Sequence, residues 1–180
     1  MATRQAAITM TTSDAFAPDP ASPLSLRLLL LLTALAELVD SASSVPALFM
    51  DHSRIPGPSL GGAIILTAIA LKPPLAVAAI GGALIKRMRL AVCALAGVSI
   101  CTWFNYLPSV ASYGLDLRYN WSNLQTFADA ELVLPIALAA IFLALRTGRL
   151  NWAVALACLP TAIRLAGLIA FFMAVSIHGF

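Results

Sequence analysis

Between Leu66 and Gly82 the chain reads LTAIALKPPLAVAAIGG. A lysine and two consecutive prolines interrupt a run otherwise suited to a membrane helix. Pro73 and Pro74 carry no amide hydrogen, so the carbonyls of Ile69 and Ala70 lose their helical partners. Lys72 precedes a proline and is pushed away from helical dihedrals. In hydrocarbon, freed backbone groups must be satisfied by protein or water. The stretch therefore predicts a helix broken at mid-depth into two halves. One half offers carbonyls and the other the positive end of its dipole, as in discontinuous transporter helices.

The rest of the chain places this run in a bilayer. Of 180 residues, 61% are hydrophobic and only 11% charged, and the mean hydropathy is +0.92. About a quarter of a soluble domain is charged, so the expected class is an all-α integral membrane protein. A net charge of +3 then reads as loop bias that sets topology, with no nucleic-acid partner. Residues 1–23 are polar and proline-rich and read as a disordered cytoplasmic tail. Residues 24–180 read as one transmembrane domain, with spans near 24–50, 59–85, 90–110, 128–145 and 150–177. Each is near or above the ~20 residues that cross the hydrocarbon core, the fourth being the shortest.

Basic residues orient the bundle. Arg4 and Arg27 precede the first span, Lys86, Arg87 and Arg89 join the second to the third, and Arg146 and Arg149 join the fourth to the fifth. The alternate loops hold only Arg54 and Arg118. The expected localisation is therefore the inner cell membrane, with the N-terminus cytoplasmic and the C-terminus outside. RLLLLLTALAELVDSASS also has the layout of a signal peptide, but the long preceding tail and the apolar VPALFM after it argue against cleavage. The sequon NWS at 120–122 falls on the outer side. Tyr106, Tyr113, Tyr119, Trp121, Phe127 and Trp152 read as interfacial anchors.

Ionisable residues cost roughly 2.5–3.5 kcal/mol at the centre of a span and are rare there unless paired or used. Here Glu37 and Asp40 fall in the first span, Lys72 in the second, Asn105 in the third and Arg164 in the fifth, with Glu131 near the outer end of the fourth. At 1.5 Å per residue, Glu37 and Arg164 each lie about 20 Å in, and Lys72 is also near mid-membrane. Thr33, Glu37, Asp40 and Ser44 fall within a sector of about 60° on the first helix. Lipid cannot be what that polar stripe meets.

Two readings of the charges stand side by side. In the plainer one, Lys72 pairs with Glu37 or Asp40, and Arg164 with Asp40 or Glu131, with no transport. In the functional one, Glu37 and Asp40 bind or relay a proton or cation. Lys72 and Arg164 then tune those acids or hold an anionic group, and Asn105 orients the site.

Other signals are weaker. Cys93, Cys101 and Cys158 lie in apolar runs without a CxxC, and read as buried thiols. His52 and His178, with Asp51, are weak metal candidates, and no metal or other cofactor is expected. Ala166, Ala170 and Ala174, like Ala140 and Ala144, have helix-packing spacing. No P-loop, GxSxG, HExxH or dinucleotide fingerprint is present. The leading expectation is a transport or ion/proton-conducting component, working as a homo-oligomer or within a larger membrane complex. The alternatives are a non-catalytic accessory subunit of such a complex, and an integral-membrane enzyme acting on a lipid with Glu37 or Asp40 as acid/base.

Overall fold

The computed structural model describes residues 23–51, 59–107, 131–146 and 149–178. Five α-helices make up these residues: α1 Leu24–Ser44, α2 Leu60–Leu84, α3 Met88–Phe104, α4 Val133–Leu145 and α5 Leu150–His178. No strand occurs among the described residues. Three segments, Leu24–Phe49, Leu60–Leu84 and Leu150–Ile177, are long and apolar enough to cross a membrane by length and composition. The other two helices are shorter. α3 starts before residue 90 and its helix ends at Phe104, and α4 starts at Val133, after a π-turn at residues 131–132. Residues 108–110 and 128–130 of the expected third and fourth spans lie outside the described residues, as do 1–22 of the tail and the NWS sequon.

Local chemistry explains most of the boundaries. Pro46 cannot supply an amide to the Ala42 carbonyl. The Val45 N–H takes that carbonyl instead, and α1 tightens into a 3-10 turn over Val45–Phe49. α2 starts at Ser59, whose hydroxyl accepts from Gly62 N at 3.1 Å, a side-chain N-cap. It ends in a Schellman motif: Arg87 N donates to Gly82 O at 2.8 Å and Lys86 N to Ala83 O at 3.4 Å. Lys86 occupies the left-handed position, φ 61°, that glycine usually fills there. Arg27 of α1 reaches the same helix end, donating to Ala83 O and Leu84 O at 3.4 Å each. A cation is thereby set against the negative end of the α2 dipole.

The expected break in the second helix is not there. α2 runs unbroken from Leu60 to Leu84 with Pro73 and Pro74 inside it. A proline ring locks φ near −65°, which is itself helical, so the tandem pair removes two hydrogen bonds without forcing the chain out of the helix. Tertiary packing favours keeping the phase. Ala68, Lys72, Ala76, Ala79 and Ala83 are all buried and, at 100° per residue, fall within about 80° of one another. A break at the prolines would turn one half of this face away from its neighbours.

The helices pack as an antiparallel set with α3 in the middle, touching each of the other four. α3 is buried almost all round, from Met88 to Thr102. The apolar core is built mainly of alanine: Ala34, Ala79, Ala83, Ala91, Ala94, Ala96, Ala137, Ala140, Ala144, Ala153 and Ala157, filled out by Leu30, Met88, Val92, Leu95 and Val154. Small side chains let backbones approach closely and gain dispersion contacts. Gly82 marks the limit, since a Cβ there would lie 2.9 Å from the backbone nitrogen of Ala91. This core draws on the first half of α1, α3 and α5, the second half of α2 and most of the short α4. It thus fills one end of the bundle, the end bearing Arg27, Lys86, Arg87, Arg89, Arg146 and Arg149. Toward the other end, every side chain of α5 from Leu165 to Ile177 is exposed or half-buried.

Candidate functional site: a buried charge cluster

Just beyond the alanine core, charged side chains from three helices meet. Lys72 stands twelve residues from either end of α2 (60 to 72, 72 to 84). Arg164 stands fourteen from either end of α5 (150 to 164, 164 to 178). Glu37 is within one residue of the centre of Leu24–Phe49. Each of the three long apolar segments therefore carries an ionisable residue at its midpoint, and packing brings the three to one level.

Glu37 is the deepest member, with its side chain 1% exposed. Its Oε1 accepts from Arg164 Nη2 at 2.8 Å and from Thr161 Oγ1 at 2.6 Å. Its other oxygen, Oε2, is buried and has no hydrogen-bond partner among the described residues. Asp40 stands about one turn further along and is different in kind: its side chain is 52% exposed. Its Oδ2 receives Lys72 Nζ at 3.0 Å and faces Arg164 Nη1 at 3.8 Å. The two cations are themselves withdrawn, Lys72 at 5% and Arg164 at 16% exposure. One arginine thus bridges a buried acid and a half-exposed acid, and a buried lysine closes the outer side.

The hydroxyls of the first-helix stripe do not face the charges. Thr33 Oγ1 donates to Leu29 O, Ser41 Oγ to Glu37 O and Ser44 Oγ to Asp40 O, each back onto its own helix. Thr33 and Glu37 are buried, Ser44 is half-buried and Asp40 exposed, so the stripe straddles the edge of the interface. Thr161, absent from the sequence reading, supplies the hydroxyl that does reach Glu37. It lies three residues before Arg164 and so on the same face of α5.

Asn105 and Glu131 stand apart. Asn105 caps the end of α3 and Glu131 opens the turn into α4. Neither is hydrogen-bonded to the four charges, and Asn105 Oδ1 and Glu131 Oε1 are buried without a partner among the described residues. Of the two acids expected to pair with Arg164, Asp40 does so at 3.8 Å and Glu131 does not; Glu37, at 2.8 Å, is the nearer partner. Of the weak metal candidates, Asp51 is exposed, His52 lies outside the described residues and His178 is the last residue of α5. Among the described residues, no three His, Cys, Asp or Glu side chains gather at a point.

No protein family matches this chain, and neither a curated protein nor a solved structure is significantly similar to it. Function must be argued from the cluster. Chemically, it is a formally neutral set of two acids and two bases with unequal access. One carboxylate is enclosed and half-satisfied; the other is open to its surroundings and shares the same arginine.

Proposed function

We propose that this chain is a multi-pass membrane component that passes a proton or small ion through the Glu37–Arg164–Asp40–Lys72 cluster. The observation that carries the reading is the pairing of a fully enclosed carboxylate, one oxygen unsatisfied, with a half-exposed carboxylate through a shared arginine. An intramembrane ionisable group is costly to keep and marks a functional site by default. In the proposed cycle, Asp40 is the accessible station and Glu37 the enclosed one. A proton on Glu37 weakens its hold on Arg164, whose guanidinium then turns to Asp40. Loss of the proton restores the 2.8 Å pair.

The membrane setting is supported by the three long apolar helices and by apolar side chains facing outward, such as Leu28, Leu32, Leu35 and Val39 on α1. A soluble monomer rarely exposes contiguous apolar patches larger than a few hundred Å². We place the arginine- and lysine-bearing end in the cytoplasm, with α3 and α4 completing a five-span bundle in the inner cell membrane. The lipid bilayer is the primary partner; further copies or other subunits pack against the exposed helices.

The test is flux in proteoliposomes. Glu37→Gln keeps the size and the Thr161 contact but removes the charge. It abolishes proton or cation flux while the purified protein keeps its helical circular dichroism. Flux at the wild-type rate in this variant sinks the proposal.

The closed ion pairs favour a second reading, an accessory subunit whose charges clamp α1, α2 and α5 together. It predicts no flux from the purified chain, and loss of complex assembly in detergent pull-downs when Glu37 is replaced.

A further inference from the structure

The cation side of the cluster carries its own information. Lys72 Nζ and Arg164 Nη1 converge on a single atom, Asp40 Oδ2, at 3.0 and 3.8 Å. Both cations are held in the interior by the packing of α2 and α5, whereas the carboxylate between them is the one half-exposed member. The two cations are the fixed, enclosed partners, and Asp40 is the member of the cluster within reach of its surroundings.

The geometry points to a binding site for a small monovalent carboxylate, formed by Lys72 and Arg164 and filled by the Asp40 side chain until the anion arrives. This inference rests on reading the cluster as a working site, and names its substrate class. The class follows from what the cations now hold. The Asp40 carboxylate accepts a charge-assisted hydrogen bond from the Lys72 ammonium at 3.0 Å and stands within ion-pair distance of the Arg164 guanidinium at 3.8 Å, and charge-assisted bonds are roughly twice as strong as neutral ones.

The valence follows from charge balance. With Glu37, Asp40, Lys72 and Arg164 all charged, the cluster is neutral. An arriving monoanion that displaces Asp40 leaves one negative charge too many in a poorly solvated layer, where uncompensated charge is expensive. One proton taken up by the displaced Asp40 carboxylate restores neutrality. Anion and proton therefore enter as a pair. The groups facing Asp40 are Glu37 on its own helix, Lys72 on α2 and Arg164 on α5. α3, which also touches α1, has no charged residue between Leu90 and Phe104.

Asp40→Asn exposes the site directly. It removes the resident carboxylate and leaves Glu37 as the one acid of the cluster. In the full chain in detergent, sodium acetate replacing sodium chloride at fixed ionic strength raises the thermal midpoint of this variant. The expected rise is roughly 5 °C at saturation. The rise vanishes when Lys72→Met is added. No rise on replacing chloride by acetate, or an equal rise in the double variant, overturns the inference. The wild type supplies a test that needs no variant. Acetate added to weakly buffered protein draws up one proton per anion bound, and apparent affinity tightens about tenfold for each unit fall in pH. Binding without proton uptake, or no binding, overturns the pairing. Because no flux is measured, a positive result here with normal flux in Glu37→Gln removes the conduction reading and leaves the site standing.

Discussion

Two carboxylates three residues apart, on one helix, have opposite environments, and the difference is worth energy. Glu37 is enclosed, so its pairing with Arg164 replaces water that it has lost. Taking away one member of a buried pair typically costs 3–5 kcal/mol, whereas replacing both by apolar residues is often neutral. Arg164→Leu is therefore expected to lower stability by about 3–5 kcal/mol, and Glu37→Leu with Arg164→Leu to recover most of it. Thermal unfolding of the purified variants in detergent measures this double-mutant cycle. Additive losses would show that the two residues act independently. The residue types and depths at this site are legible in the sequence: three long apolar segments carry Glu37 and Asp40, Lys72, and Arg164 near their centres. The partners are legible in part. Lys72–Asp40 is among the expected pairs, whereas Glu37 finds Arg164 because of how α1 is rotated between α2 and α5, which periodicity along one helix does not report.

At the scale of the elements, α2 shows where local rules give way. Two prolines remove two backbone bonds, yet the helix continues, because φ at proline is already helical and the buried Ala68–Ala83 face must stay in phase. The same helix gives a sharp contrast between two adjacent glycines. A Cβ at Gly82 meets the Ala91 backbone at 2.9 Å, while one at Gly81 meets nothing within 4 Å. Gly82→Ala is expected to cost about 1–3 kcal/mol through overpacking of the α2–α3 contact. Gly81→Ala is expected to be neutral or to gain up to about 1 kcal/mol from helix propensity. Unfolding midpoints of the two variants settle the matter, and equal effects would mean that α2 and α3 are further apart than described. Neighbouring glycines look alike in sequence; only the crossing of the two helices tells them apart.

For the whole molecule, the polar layer separates two unlike ends. Below it lies the alanine core with all the described lysine and arginine side chains except Lys72 and Arg164; above it, α5 runs on with little covering it. If the basic end is cytoplasmic, cysteines introduced at Lys86 and Arg146 label from one face of sealed membranes, and one at Ser59 from the opposite face. Labelling of all three from the same side would reject the orientation. Sequence alone determined the helical class, the approximate extent of the three long segments and the level at which charge interrupts them. Those properties follow from composition and spacing within each segment. Tertiary structure alone decided that α2 stays whole at Lys72-Pro73-Pro74, that Thr161 joins Glu37 while Asn105 and Glu131 do not, and that Asp40 is half-exposed while Glu37 is enclosed. Each of these depends on which face one helix turns toward another, and that orientation is fixed by packing between distant segments.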